Sequence, residues 1–192
     1  ELTPRAVASV NKARLVVYEK GRQGAVHKAV ESQGGGPSLD FAPSANLDLK
    51  LESGATDPHF WLDPQRYSEV ARVIAERLAQ LDPAHRADFE KNAAVFEDKL
   101  AALSQEFTTG LASCQQRDIV TSHSAFGYLA RRFGMRQFAI NGLSPDSEAR
   151  AGVLATVRAY AKAHEVTTTY AEPRASPPIP QPLPTQTGPR RR

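Results

Sequence analysis

Two histidines stand where segments of the chain meet. His59 lies in Asp57-Pro58-His59-Phe60-Trp61-Leu62-Asp63-Pro64, and His123 follows 64 positions later in Thr121-Ser122-His123-Ser124-Ala125-Phe126-Gly127-Tyr128. Residues with helical patterning come after each, so each imidazole sits on a turn that enters a helix. Zinc and its neighbours bind neutral ring nitrogens at about 2.0–2.1 Å, usually in sets of three or four ligands completed by carboxylates. The spacing alone does not select that chemistry, and the ordinary alternative for either histidine is a capping or surface role. His27 falls on a helix among Lys28 and Glu31, and His85 in the first turn of an exposed helix start. His164 lies near a helix C-terminus, where an imidazolium is favoured. These three read as structural or surface residues. Cys114 is the single cysteine, which excludes an intramolecular disulfide and any site of four thiolates.

The elements that must position the pair can be read from local pattern. Arg14–Tyr18 reads as a short buried strand behind a helical Pro4–Lys12, and residues 22–32 as a second helix. Gly34-Gly35-Gly36-Pro37 then opens a long segment, 33–57, which is expected to be a mobile loop leading into His59. Asp63 and Pro64 signal a helix start, with an N-cap side chain and proline at the first helical position. Tyr67, Val70, Ala71, Ile74, Leu78 and Leu81 recur behind them at helical steps. Asp82-Pro83 repeats the signal ahead of Phe89, Ala93, Phe96, Leu100, Leu103 and Phe107, a long helix with one apolar seam.

From residue 117 the pattern becomes strand–helix–strand–helix–strand: Ile119–Thr121, 124–133, Gln137–Ile140, a helix from Ser144-Pro145, and Val166–Tyr170. That alternation predicts a parallel sheet with covering helices. Open α/β sheets bind ligands at the carboxyl ends of their strands. His123 falls just after the first of these strands and Glu172 just after the third. The organisation expected is an N-terminal lobe over 1–82, a linking helix over 83–110 and a C-terminal α/β lobe over 111–172. His59 then belongs to the other lobe, and meets His123 across a cleft. Residues 173–192 carry Pro173, Pro177, Pro178, Pro180, Pro182, Pro184 and Pro189, so an extended or disordered tail is expected.

With 192 residues, 41% hydrophobic and 23% charged, the chain has the makings of one sizeable domain or two small lobes. Its net charge of +3 owes part to Arg190-Arg191-Arg192, which reads as a solvated tail. No basic stripe with interleaved aromatics occurs, which argues against nucleic acid as a partner. Nor is there an apolar run of about 18 residues that could span a membrane. The chain opens at Glu1 with no signal peptide, as a processed protein or a fragment would, so the missing signal does not place it in the cytoplasm.

The His59 motif resembles the central motif of the zinc/manganese ABC-transporter substrate-binding proteins. Ser122-His123-Ser124-Ala125-Phe126-Gly127-Tyr128 and Asn141-Gly142-Leu143-Ser144-Pro145-Asp146-Ser147-Glu148 resemble further motifs of that family. Glu1-Leu2-Thr3-Pro4 is similar to the end of its N-terminal histidine motif. The resemblance runs in order over about residues 1–176. It implies two α/β lobes with parallel sheets, joined by a long backbone helix, that capture an ion in a cleft and deliver it to a membrane permease. It also implies an extracytoplasmic location, periplasmic or as a cell-surface lipoprotein. His59 matches the family's second metal ligand and His123 its third. A histidine at the third position favours Zn²⁺, with Mn²⁺ as the other ion the family takes. Glu172 matches an acidic position near the site, as a weak ligand or a partner of the ligands. The family's first histidine and last acidic ligand fall outside the chain, so a chain truncated at both ends, with weakened zinc binding, is expected. Two other readings compete. A zinc hydrolase would need a general base beside the ligands, and no His-Glu-x-x-His spacing occurs. An interaction module built on the long helix would retain only a decayed metal site.

Overall fold

The computed structural model describes residues 2–32, 36–51, 54–141, 151–170 and 185–186. They form two compact units, one of residues 1–48 and 63–106, the other of residues 49–62 and 107–192. In the first unit, α1 (Pro4–Lys12) begins with Thr3 accepting a hydrogen bond from the Ala6 N–H, and with Pro4 in the first turn. Strand β1 (Val16–Tyr18) leads to α2 (Gly24–Ser32) and then to β2 (Ser38–Asp40). The two strands pair in parallel, Val16 opposite Ser38 and Tyr18 opposite Asp40. Val16, Tyr18 and Val30 form a small core, with Val10, Ala13 and Val26 packed against it.

The segment expected as a mobile loop is therefore partly built. Asp40 Oδ1 accepts from the N–H groups of Lys20 and Ala42, both at 3.0 Å, which fixes the chain as it leaves β2. A short α3 (Ala42–Ala45) follows, ended by Asn46 in the left-handed conformation with φ 49°. Helix α4 (Pro64–Leu81) starts as the sequence signals. Asp63 caps it, accepting from the N–H groups of Gln65 and Arg66. The Arg66 guanidinium then binds back to the Ala45 carbonyl at 3.0 Å, the Asn46 carbonyl, and Asp48 at 3.0 Å. Asp82-Pro83 does not repeat the same start. It opens a 3-10 turn, Pro83–His85, without a side-chain cap, before α5 runs from Arg86 to Leu111.

In the second unit, β3 (Asp118–His123), α6 (Gly127–Arg132), β4 (Arg136–Asn141), α7 (Ala151–Ala163), β5 (Thr169–Tyr170) and β6 (Thr185–Gln186) follow in order. The strands form one sheet in the order β4-β3-β5-β6, with every pair parallel. Val120, Ile140, Val157, Ala161 and Val166 make the core, joined by Phe138, Val153 and Tyr160. The α/β class, the parallel sheets and the long helix agree with the sequence reading. Two details differ. Val166 is buried in the core ahead of a shorter strand, and Thr185–Gln186, between two of the tail's prolines, supplies a two-residue edge strand. Both residues of that strand have backbone N–H groups, which the prolines lack.

At the amino end of β3, Asp118 is gripped by Arg136 of β4 through bonds of 2.8 and 2.6 Å, and the Tyr160 hydroxyl donates to it at 2.5 Å. The Arg136 guanidinium is the chief reason that its carboxyl lies well below the usual range, at about 2. Its effect outweighs burial, which acts the other way.

Candidate metal centre

His123 is the last residue of β3, opposite Asn141 at the end of β4. Parallel pairing puts both at the carboxyl edge of the sheet, where α/β proteins bind ligands. Its backbone is held firmly. The His123 carbonyl accepts from the Thr121 hydroxyl at 2.8 Å, the Gln137 side-chain amide at 3.0 Å and the Ala125 N–H at 2.9 Å. The residue is buried, so its imidazole stands at the end of a rigid strand within the protein.

His59 reaches the same place from the 49–62 segment, which groups with the second unit. The sequence reading assigns it to the N-terminal lobe and requires a cleft for the two histidines to meet. By packing, the 49–62 segment groups with residues 107–192, so the two histidines fall in the same unit. A segment that leaves one unit and returns to it has no mark in local periodicity, since its packing partners are distant in sequence.

Asp57 orients His59. Its Oδ1 accepts from the His59 backbone N–H at 2.9 Å and lies 2.6 Å from the ring Nδ1. A carboxylate oxygen has only lone pairs to offer, so Nδ1 carries the proton, and in the neutral ring Nε2 is the nitrogen with a lone pair. Asp57 is almost wholly buried, at 1% exposure, and its Oδ2 has no hydrogen-bond partner among the described residues. Carboxylates that hold the far nitrogen of a ligating histidine fix its tautomer and raise its basicity. The sequence reading assigned Asp57 no role. The available signal was its place two residues before His59, from which an aspartate carboxylate can reach a backbone N–H two residues on.

The His59 and His123 ring centres lie 5.3 Å apart, with planes inclined at 72°. Two imidazoles bound to one tetrahedral zinc at about 2.0–2.1 Å have ring centres roughly 5 Å apart. The pair thus has the separation of a chelating couple. Trp61 stands edge-on to His59 at 5.2 Å and is half exposed, forming an aromatic wall on the same turn. Among the described residues no group of three or more His, Cys, Asp or Glu side chains is gathered to hold an ion. Glu172 and the stretch from Gly142 to Glu148 lie outside the described residues.

The remaining histidines have local partners. His27 Nδ1 lies 3.3 Å from the Tyr18 hydroxyl, and its Nε2 lies 3.2 Å from Glu31. His85 sits 3.0 Å from Asp82, and His164 stacks on Tyr160 with its Nδ1 3.6 Å from Asp118.

A family model described as zinc-uptake complex component A, periplasmic (ZnuA), matches residues 1–191. The high-affinity zinc uptake system protein ZnuA of Bacillus subtilis is 33% identical over 192 residues, covering 92% of this chain and 60% of that protein. The zinc-binding lipoprotein AdcA of Streptococcus pneumoniae is 42% identical over 120 residues, 62% of this chain and 24% of that protein. The crystal structure of the Zn(II)-bound ZnuA-like domain of Streptococcus pneumoniae AdcA superposes with a TM-score of 0.75 at 35% identity, over 92% of this chain and 66% of that one. The chain thus spans about three fifths and one quarter of the length of these two curated relatives.

Proposed function

The chain belongs to the ZnuA family of zinc-uptake components, and from that premise we propose that it captures Zn²⁺ outside the cytoplasm for an ABC uptake transporter. Its mechanism is reversible coordination with no covalent step. His59 and His123 supply neutral imidazole nitrogens, and Asp57 keeps His59 in the tautomer that presents Nε2. The observation that carries this reading is the pair of buried rings 5.3 Å apart, one of them locked by a carboxylate at 2.6 Å. Imidazole donors suit zinc better than the harder manganese ion, which prefers oxygen. Glu172 is proposed as a further carboxylate near the ion. Release to a membrane permease completes the cycle, and no helix of the described residues is long and apolar enough to cross a membrane itself.

Calorimetric titration of zinc into the chain and into His59→Ala and His123→Ala tests the assignment. Either substitution is expected to remove most of the binding, because each deletes a directly coordinating atom. Zinc binding that is indifferent to both would place the ion elsewhere.

A further inference from the structure

Gly127 opens α6, four residues beyond His123, and the reason it lacks a side chain lies in the segment that carries His59. A Cβ built on it would come within 2.5 Å of Leu49 Cδ2 and 2.9 Å of Asp57 Oδ2. The leucine tip could turn aside. The carboxylate could not do so freely, since its other oxygen is engaged with both the backbone and the ring of His59. Tyr128, the next residue, is fully buried. Its hydroxyl donates to the Asp57 carbonyl at 3.0 Å and accepts from the Leu49 N–H at 3.2 Å. The Asp57 N–H closes the loop by donating to the Leu49 carbonyl at 2.9 Å. One turn of α6 therefore seats Asp57 from two sides: Gly127 leaves the space its carboxylate occupies, and Tyr128 bonds its backbone carbonyl.

We propose that Gly127 and Tyr128 are positioning residues of the zinc site: they hold Asp57 where it keeps the His59 Nδ1 proton and so leaves Nε2 to the ion. This rests on the reading that His59 ligates zinc. Neither residue touches the ion. Both act through Asp57, and substitutions in that shell around a metal typically cost about 10–100-fold in affinity.

The test uses the full chain as Gly127→Ala, Tyr128→Phe, His59→Ala and Gly110→Ala. Gly110 is a control on exposed α5, where an added Cβ meets nothing within 4 Å. Zinc affinity is measured by chelator competition, and the tautomer of His59 in zinc-free protein by ¹⁵N correlation of its ring. Folding is followed by circular dichroism, and Tyr128→Phe keeps the buried ring if Gly127→Ala fails to fold. The expected result is a loss of affinity of about 10-fold or more in both variants. With it, His59 should pass from a single Nδ1–H tautomer to a mixture, while Gly110→Ala matches the parent. Parent affinity, or lost affinity with an unchanged tautomer, would overturn the inference while the zinc site stood. Unchanged affinity in His59→Ala would instead sink the site reading, and this inference with it.

Discussion

Asp57 orients the histidine proposed as a zinc ligand. Its Oδ1 lies 2.6 Å from His59 Nδ1 in a buried setting. Asp57→Ala would strand the Nδ1 proton without its acceptor and free the ring to rotate. Zinc affinity should fall by about 10–100-fold, less than the near-complete loss expected for His59→Ala. Chelator competition checks the order of the two, and a milder effect for His59→Ala than for Asp57→Ala would contradict it. Proton competition acts at the same atoms. An imidazole must be neutral to ligate, so at acidic pH, where the rings are protonated, coordination releases protons and zinc affinity weakens. Titrations in buffers of different ionisation heat measure that release directly, and its absence would count against imidazole ligation. Residue type and their place at segment ends mark the two histidines as candidates, and it is the motif resemblance that assigns them to a metal. The carboxylate's role is not marked in this way, because which atom an aspartate holds depends on a turn geometry that composition does not encode.

At the scale of the element, two junctions carry the local stability. Asp63 caps α4 and also lies 3.3 Å from Arg66 Nε. Asp63→Ala should therefore cost about 1–2 kcal/mol, the upper part of the range for a lost cap, as measured by urea unfolding. An unchanged midpoint would mean the cap is not formed. At the other junction, Arg136 holds the Asp118 carboxyl at about 2, below its unfolded value. A depressed acid contributes stability that is present above the unfolded value of about 3.9 and is lost as pH falls toward 2. The stability difference between the parent and Arg136→Leu should accordingly be full above about pH 4 and close as the pH approaches 2. A gap that stays constant over that window would refute the pairing. Helix starts were readable because Asp63-Pro64 acts on its own next turn. Strand β1 falls within the Arg14–Tyr18 expectation, but its pairing with β2 is not readable, since Val16 meets Ser38 across 22 positions and three-residue β2 leaves little alternation to detect. For the same reason the segment after Gly36 reads as loop throughout, although Asp40 and Arg66 organise it.

For the whole molecule, the division into units decides where zinc should be felt. Both proposed ligands belong to the unit of residues 49–62 and 107–192, although local pattern along the chain assigns His59 to the other. An ion that binds the folded form stabilises what it binds. Added zinc should therefore slow amide exchange around residues 54–62 and 118–132 much more than in α1 and α2. Equal slowing in both units would contradict a site contained in one. The central claim is that the His59 and His123 rings share one zinc ion. X-ray absorption at the zinc edge, on the chain carrying one equivalent of zinc, tests this most directly. Nitrogen and oxygen donors are expected at about 2.0–2.1 Å, with outer-shell scattering from two imidazoles, reduced to one in His59→Ala and in His123→Ala. A spectrum without imidazole scattering, or with the same imidazole number in both variants as in the parent, would contradict it.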